Sequence, residues 1–198
     1  MDDMRLQVSV MADGICDMLS FVEKGFMEHD PGALEAAMLR EADINNMEKE
    51  LTKRVLVLSK SVKSDKERKE LVALEQSVVT MERMGDEAAS LVERIEIKNS
   101  EHLLFSDIGV AQFNETFGAM RRSVEMMREF LKGREGPTKD RIIDNGFHVK
   151  SLVERYRAEH AERLVKGICT PMAANMFFDM MDFTGNLARH ASNIVKLF

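Results

Sequence analysis

Apolar residues recur along this chain at alternating steps of three and four, which places them on one face of an α-helix. The longest run consists of Leu71, Leu74, Val78, Met81, Gly85, Ala88, Val92 and Ile95. Heptad spacing over this length predicts a helix that packs against its neighbours at a shallow angle. Similar runs precede it, from Val8 to Val22 and from Ala37 to Leu58. The pattern therefore predicts long helices packed side by side.

Prolines and capping residues mark where these helices begin. Asp30 precedes Pro31, and Thr170 precedes Pro171. Asp and Thr are good N-caps, and proline is tolerated in the first turn because its missing N–H would be unpaired there anyway. With these starts, the predicted helices cover residues 4–28, 32–61, 65–98, 107–132, 138–166 and 171–197.

The predicted helix lengths repeat in the order medium, long, long. The repeat predicts two three-helix units in tandem, at residues 1–100 and 101–198, which share their apolar seams as a single elongated domain. Composition agrees with an all-α fold, because the chain has no tryptophan, one tyrosine, 11 glycines and 3 prolines. A β-rich domain of this size would normally carry more aromatic and β-branched residues.

Charge and cysteine content argue against several classes of protein. The net charge of −6 argues against a general nucleic-acid binder. No segment approaches the roughly 20 apolar residues of a membrane-spanning helix, and the N-terminus lacks a signal-peptide pattern. The two cysteines, Cys16 and Cys169, form no CxxC or framework of spacings, so we expect a reduced, cytoplasmic location.

Two rows of oxygen-bearing side chains form a candidate cation-binding site. Glu82 and Asp86 stand four residues apart and flank Gly85, which we expect to let a neighbouring backbone approach. The second helix carries Glu41, Asn45 and Glu48. If the two helices are adjacent, these groups converge, and their oxygens suit Mg²⁺, Ca²⁺, Mn²⁺ or iron. Spacing alone favours the plainer alternative, in which both rows are solvated helix surface.

Other kinds of site find little support in the sequence. There is no Glu-x-x-His pair, which argues against a ferritin-like di-iron bundle. There is also no GxGxxG, no Walker loop and no GxSxG. His160 lies in line with Tyr156 and Leu164, so we expect it to be packed rather than to bind a ligand.

Several motifs together resemble the PhoU family. The stretch "MERMGDEAASLVERI" is similar to one helix signature of that family, and "READINNMEKEL" is similar to the other. The second half resembles the PhoU-like domain of bacterial sodium/phosphate cotransporters. That similarity rests on Arg157, His160, Gly167, Cys169, Thr170, Pro171, His190, Ala191, Asn193 and Ile194.

The resemblance implies a fold, a role and a set of ligands. It implies a tandem pair of three-helix bundles and a non-enzymatic regulator of phosphate uptake that contacts a phosphate transporter or a sensor kinase. A homo-oligomer, and association with a membrane through such a partner, both remain open. The resemblance also implies bound cations such as Fe, Mn, Mg or Zn, held by Glu41, Asn45, Glu82 and Asp86. The cotransporter subgroup carries membrane helices upstream, so a separate protein and an excised domain both remain open.

The second half departs from the family pattern. Gly185 and Arg189 stand where the family has acidic residues in the last helix, and Gly146 and Lys150 stand where it has them in the fifth. We therefore expect one metal-competent half and one metal-free half, with positive charge in place of a cation in the second.

Two other functions remain open at this point. The chain could be a metal-free helical scaffold or adaptor whose carboxylate rows only solubilise it. It could instead be a metal-dependent hydrolase, which would need an open coordination position and a general base within reach. Glu48 is the only candidate base beside Glu82 and Asp86.

Overall fold

The structure is a computed structural model that describes residues 1–133 and 136–198, in which the regular secondary structure is α-helical. The helices are α1 (Asp2–Met27), α2 (Pro31–Ser59), α3 (Asp65–Ser100), α4 (Asp107–Leu131), α5 (Lys139–Val165) and α6 (Pro171–Lys196). The predicted all-α fold of six helices is confirmed, and each predicted end lies within about two residues of the observed one.

Side-chain caps explain why the helices begin where they do. Asp30 accepts hydrogen bonds from the backbone N–H groups of Gly32 and Ala33, and Thr170 accepts one from Ala173. Ser64 and Glu67 form a reciprocal capping box at the start of α3. Each cap satisfies backbone donors that have no partner inside the helix, which is worth about 1 kcal/mol.

The helices pack as two three-helix bundles, α1–α3 and α4–α6. The bundles meet where α3 packs against α6 and α1 packs against α4, so α2 and α5 lie on opposite outer sides. One continuous apolar core runs through both bundles. Methionines at the centre of α6, Met180 and Met181, are completely buried in it, as is Phe177. Those methionines therefore fill the core.

Membrane insertion would require a helix with a long apolar segment. Within the described ranges, none of the helices combines the length and apolar character that crossing a bilayer requires.

Candidate functional site

Helices α2 and α3 touch at Gly85, which is buried. A Cβ atom added at Gly85 would lie 3.4 Å from Ile44 Cγ2. An alanine here would come into ordinary contact with that side chain of α2, and the close approach of a neighbouring backbone that we had expected is not found. Glycine within a helix costs about 1 kcal/mol relative to alanine, and the contact with α2 does not by itself require it here.

The four predicted ligands stand beside this contact. Asn45 follows Ile44 on α2 and Asp86 follows Gly85 on α3, while Glu41 and Glu82 lie one turn earlier on the same helices. Glu41, Asn45 and Glu82 are partly buried, and Asp86 is exposed. Together with Glu48 these residues are called the acidic face below.

The carboxylates of the acidic face act on one another across the two helices. Burial is the main cause that raises the pKa of Glu82, and the negative charges of Asp86 and Glu48 raise it further. Arg83 opposes this rise, and Glu41 adds a smaller increase. Because Glu48 and Glu41 belong to α2, the acidic rows of α2 and α3 lie near enough to repel each other. A bound cation would relieve that repulsion.

Asn45 has an oxygen that lacks a partner. Its Nδ2 donates a hydrogen bond to Glu41 Oε1, but its Oδ1 is buried and accepts no hydrogen bond. A buried acceptor without a partner costs about 1–3 kcal/mol, so the atom is suited to a cation or a water molecule. The amide and carboxylate oxygens of the acidic face are the ligand types that hard divalent cations prefer.

The side chains as they stand do not form a complete ligand shell. Within residues 1–133 and 136–198, no three His, Cys, Asp or Glu side chains are gathered closely enough to hold a metal ion. The donor types and the unpaired Asn45 Oδ1 fit a hard cation, but Glu41 is engaged with Asn45. Metal binding by Glu41, Asn45, Glu82 and Asp86 therefore stays a prediction.

The four corresponding positions of the second bundle line one groove between α5 and α6. They are Gly146 and Lys150 on α5 and Gly185 and Arg189 on α6. A groove with two glycines and two cationic side chains at these positions does not fit a metal ion, because it offers no carboxylate there. It is called the α5–α6 groove below.

Close packing of α5 against α6 accounts for the glycines of this groove. A Cβ atom at Gly146 would overlap Ser192 Oγ, and one at Gly185 would lie 3.3 Å from Val153 Cγ2. Ser192 Oγ also donates a hydrogen bond to the Ala188 carbonyl at 3.1 Å. The helices therefore approach too closely for a carboxylate side chain to be added at either glycine without movement.

A polar cluster that the sequence analysis missed joins α4 to α5. Arg163 Nη2 donates to Gln112 Oε1 at 2.6 Å and faces His160 Nδ1 at 3.0 Å, while Gln112 Nε2 donates to Glu159 Oε2. The His160 ring stacks on Phe177 with 4.1 Å between ring centroids. His160 is thus packed, as predicted, and burial together with Arg163 lowers its pKa to about 4.

No spacing along one helix could have revealed this cluster, because Gln112 and Arg163 are 51 residues apart. We expect its role to be structural, since His160 is buried and its ring is stacked on Phe177. Of the cationic groups that line the α5–α6 groove, Lys150 and Arg189 were expected to supply positive charge there, whereas Arg157 and Lys196 were not assigned to it.

The family model described as "PhoU domain" matches residues 8–95, which span most of the first bundle. Comparison with curated protein sequences gave no match.

Solved structures of PhoU proteins share the fold over the whole chain. PhoU from Pseudomonas aeruginosa matches with a TM-score of 0.88 and 16% identity, over 99% of this chain and 93% of that one. The phosphate transport system regulatory protein PhoU from Streptococcus pneumoniae matches with a TM-score of 0.84 and 12% identity, over 99% and 91%. A PhoU-like protein from Shewanella oneidensis MR-1 gives 0.68 and 14%, over 98% and 96%.

Proposed function

Because this chain belongs to the PhoU family, we propose that it regulates phosphate uptake without catalysing a reaction, by contacting a phosphate transporter or its signalling partner. The observation that carries the proposal is the match of residues 8–95 to the PhoU domain, together with a fold shared over 99% of the chain. One of the structural relatives is described as a regulatory protein of a phosphate transport system.

We further propose that a hard divalent cation or iron tunes this contact through the acidic face. Glu41 and Asn45 of α2 and Glu82 and Asp86 of α3 would hold it. The cation would supply positive charge between two helices where burial, and after it the neighbouring carboxylates, raise the pKa of Glu82. Asn45 Oδ1, buried and unpaired, would gain a partner. Holding α2 to α3 in this way would fix the outward surface that a partner contacts.

A metal-free adaptor is the main rival, and the lack of a gathered set of three carboxylate, thiol or imidazole ligands among the described residues favours it. The two functions predict different effects of metal removal on the free energy of unfolding. A ligand that binds only the folded chain raises its free energy of unfolding by about 2.7 kcal/mol at a hundred times its dissociation constant. An adaptor without a metal site would unfold identically with Mn²⁺ and with a chelator.

The regulatory role is tested by phosphate uptake in cells from which the chain has been removed. Restoring the native chain should return uptake to its original response to external phosphate. The double variant Glu82→Ala and Asp86→Ala should return it only in part. A matched control replaces Glu93 and Glu96 by alanine, since both are exposed on the same helix.

Three results are decisive for these two proposals. If removal of the chain leaves phosphate uptake unchanged under both scarce and abundant phosphate, the regulatory proposal is wrong. If the Glu82 and Asp86 variant restores uptake as fully as the control, the chain regulates without a cation at the acidic face. If only that variant fails, both proposals are supported.

A further inference from the structure

The α5–α6 groove is an open cavity of about 630 Å³, a size typical of pockets for small molecules. Four cationic side chains line it, namely Lys150, Arg157, Arg189 and Lys196. Among the residues that the structure describes, two carboxylates, Glu154 and Asp182, line it with them. The groove is thus cationic in a chain whose net charge is −6.

The carboxylates leave much of this positive charge uncompensated. Arg157 Nη1 lies 2.6 Å from Asp182 Oδ2, so this cation is paired with a carboxylate. Lys150 Nζ lies 3.6 Å from Glu154 Oε1, but both side chains are about two-thirds exposed, so the pair is weak. Among the described residues neither Arg189 nor Lys196 forms an ion pair, although Arg189 lies near enough to Glu87 to oppose the rise that burial causes in the pKa of that carboxyl.

One of the free cations is held in place by a neutral side chain. Arg189 Nη2 donates a hydrogen bond to Asn186 Oδ1 at 3.2 Å, and Asn186 Nδ2 donates to Glu87 Oε1 of α3 at 3.0 Å. Asn186 is therefore anchored to the neighbouring bundle and orients the Arg189 guanidinium. The other donors of that guanidinium remain available to an anion.

The groove also offers space and an apolar wall. Gly146 and Gly185 line the groove where Ser192 and Val153 pack against them, so the open volume of the cavity lies outside this helix contact. Phe147 is 64% exposed and lines the groove beside Ile143. An exposed aromatic ring next to cations can pack against the organic part of a ligand whose charged part lies on the cations.

We propose that the α5–α6 groove binds a phosphoryl group, supplied by inorganic phosphate or by a phosphorylated small molecule, through Lys150, Arg189 and Lys196. Three cations are better matched by a multiply charged phosphoryl group than by a single carboxylate. The guanidinium fork of Arg189 suits the geometry of phosphate oxygens. The inference stands on the groove alone and does not depend on the proposed regulatory function.

Calorimetric titration of the native chain at low salt tests the proposal, with inorganic phosphate and adenosine diphosphate as separate probes. At least one should bind at micromolar to millimolar concentration. The double variant Lys150→Gln and Arg189→Gln should weaken that binding about tenfold or more, because it removes two charges that contact the ligand. The control Lys53→Gln removes an exposed charge from α2 and should change nothing.

The Phe147→Ala variant separates the two sources of the phosphoryl group. If the ligand is a phosphorylated organic molecule, the variant weakens binding of adenosine diphosphate and spares that of inorganic phosphate. If inorganic phosphate is the ligand, the variant changes the binding of neither probe.

Two outcomes would overturn the proposal. In one, neither probe binds the native chain at millimolar concentration. In the other, a probe binds but the Lys150 and Arg189 variant binds it as tightly as the Lys53 control does, which places the site elsewhere. The experiment measures binding directly and does not measure phosphate uptake. A negative result would therefore not contradict the regulatory proposal, and failure of the regulatory proposal would not contradict phosphoryl binding in the groove.

Discussion

The acidic face and the α5–α6 groove lie at corresponding places in the two bundles, since each is formed by the second and third helices of its bundle. Their charges are opposite. Residues 1–100 contain 21 acidic and 14 basic residues, whereas residues 101–198 contain 13 acidic and 14 basic residues. The difference is concentrated where the helices meet, because Glu41 and Glu82 have Gly146 and Gly185 as counterparts, and Asn45 and Asp86 have Lys150 and Arg189.

This comparison shows how one helical frame can carry two kinds of surface. The buried seams remain apolar in both bundles, so the packing energy of the fold does not depend on the residues exposed beside them. Exchange of a carboxylate for a cation on a half-exposed helix face alters only local electrostatics. The charge of the expected ligand therefore differs between the two bundles, whereas the backbone fold is the same.

The largest difference between the two bundles should be in how strongly acid lowers the free energy of unfolding. His160 and His190 of the second bundle have pKa values lowered to about 4, mainly by burial and further by Arg163 in one case and by Arg189 and Arg83 in the other. Between pH 6.5 and 4 the unfolded chain binds protons that the folded chain does not.

The free energy of unfolding should therefore be intact above pH 6.5 and fall as the pH drops from 6.5 to 4, by about 1 kcal/mol per pH unit for each histidine. Urea unfolding followed across this range measures it. Replacing His190 by Gln should reduce the slope. A curve that is flat from pH 7 to 4 would contradict the account.

The second-largest difference should come from replacing the glycine at each helix contact by alanine, which should change the free energy of unfolding differently in the two bundles. Gly146→Ala places a Cβ atom onto Ser192 Oγ and should cost about 1–3 kcal/mol. Gly85→Ala meets Ile44 Cγ2 at 3.4 Å, an ordinary contact, and should be neutral or stabilise by up to about 1 kcal/mol because alanine favours helix.

Denaturant midpoints of the two variants measure this difference. A second change, Ser192→Ala, should restore much of what Gly146→Ala loses, since it removes the overlapping oxygen. If Gly85→Ala is the more damaging variant, the description of the two contacts is wrong.

Removal of a single charge from the acidic face should have the smallest effect. Glu82→Gln relieves repulsion by Asp86 and Glu48, so without added metal it should raise stability by a few tenths of a kcal/mol. With Mn²⁺ present it should be less stable than the native chain, because one ligand is lost. Thermal unfolding with and without Mn²⁺ records both signs. If Glu82→Gln is not less stable than the native chain when Mn²⁺ is present, Glu82 is not a ligand of the proposed site.

The sequence predicted the helices well and the sites only in part. Helix ends were predictable because Asp30, Thr170 and the prolines act within a few residues of themselves. The pairs Glu41 with Asn45 and Glu82 with Asp86 were predictable because each lies along one helix. The unpaired Asn45 Oδ1 and the contact of Gly146 with Ser192 were not, since they depend on how two helices are rotated against each other.

The central claim is that the first bundle is competent to bind a cation and the second is not. Elemental analysis by mass spectrometry of the purified, tag-free chain after equilibration with Mn²⁺ or Fe²⁺ tests it most directly. The account predicts metal at a single site per chain, lost from the variant Glu82→Ala with Asp86→Ala and retained in Lys150→Gln with Arg189→Gln. Two equivalent sites per chain, metal retained after the first change, or no metal in the native chain would contradict it.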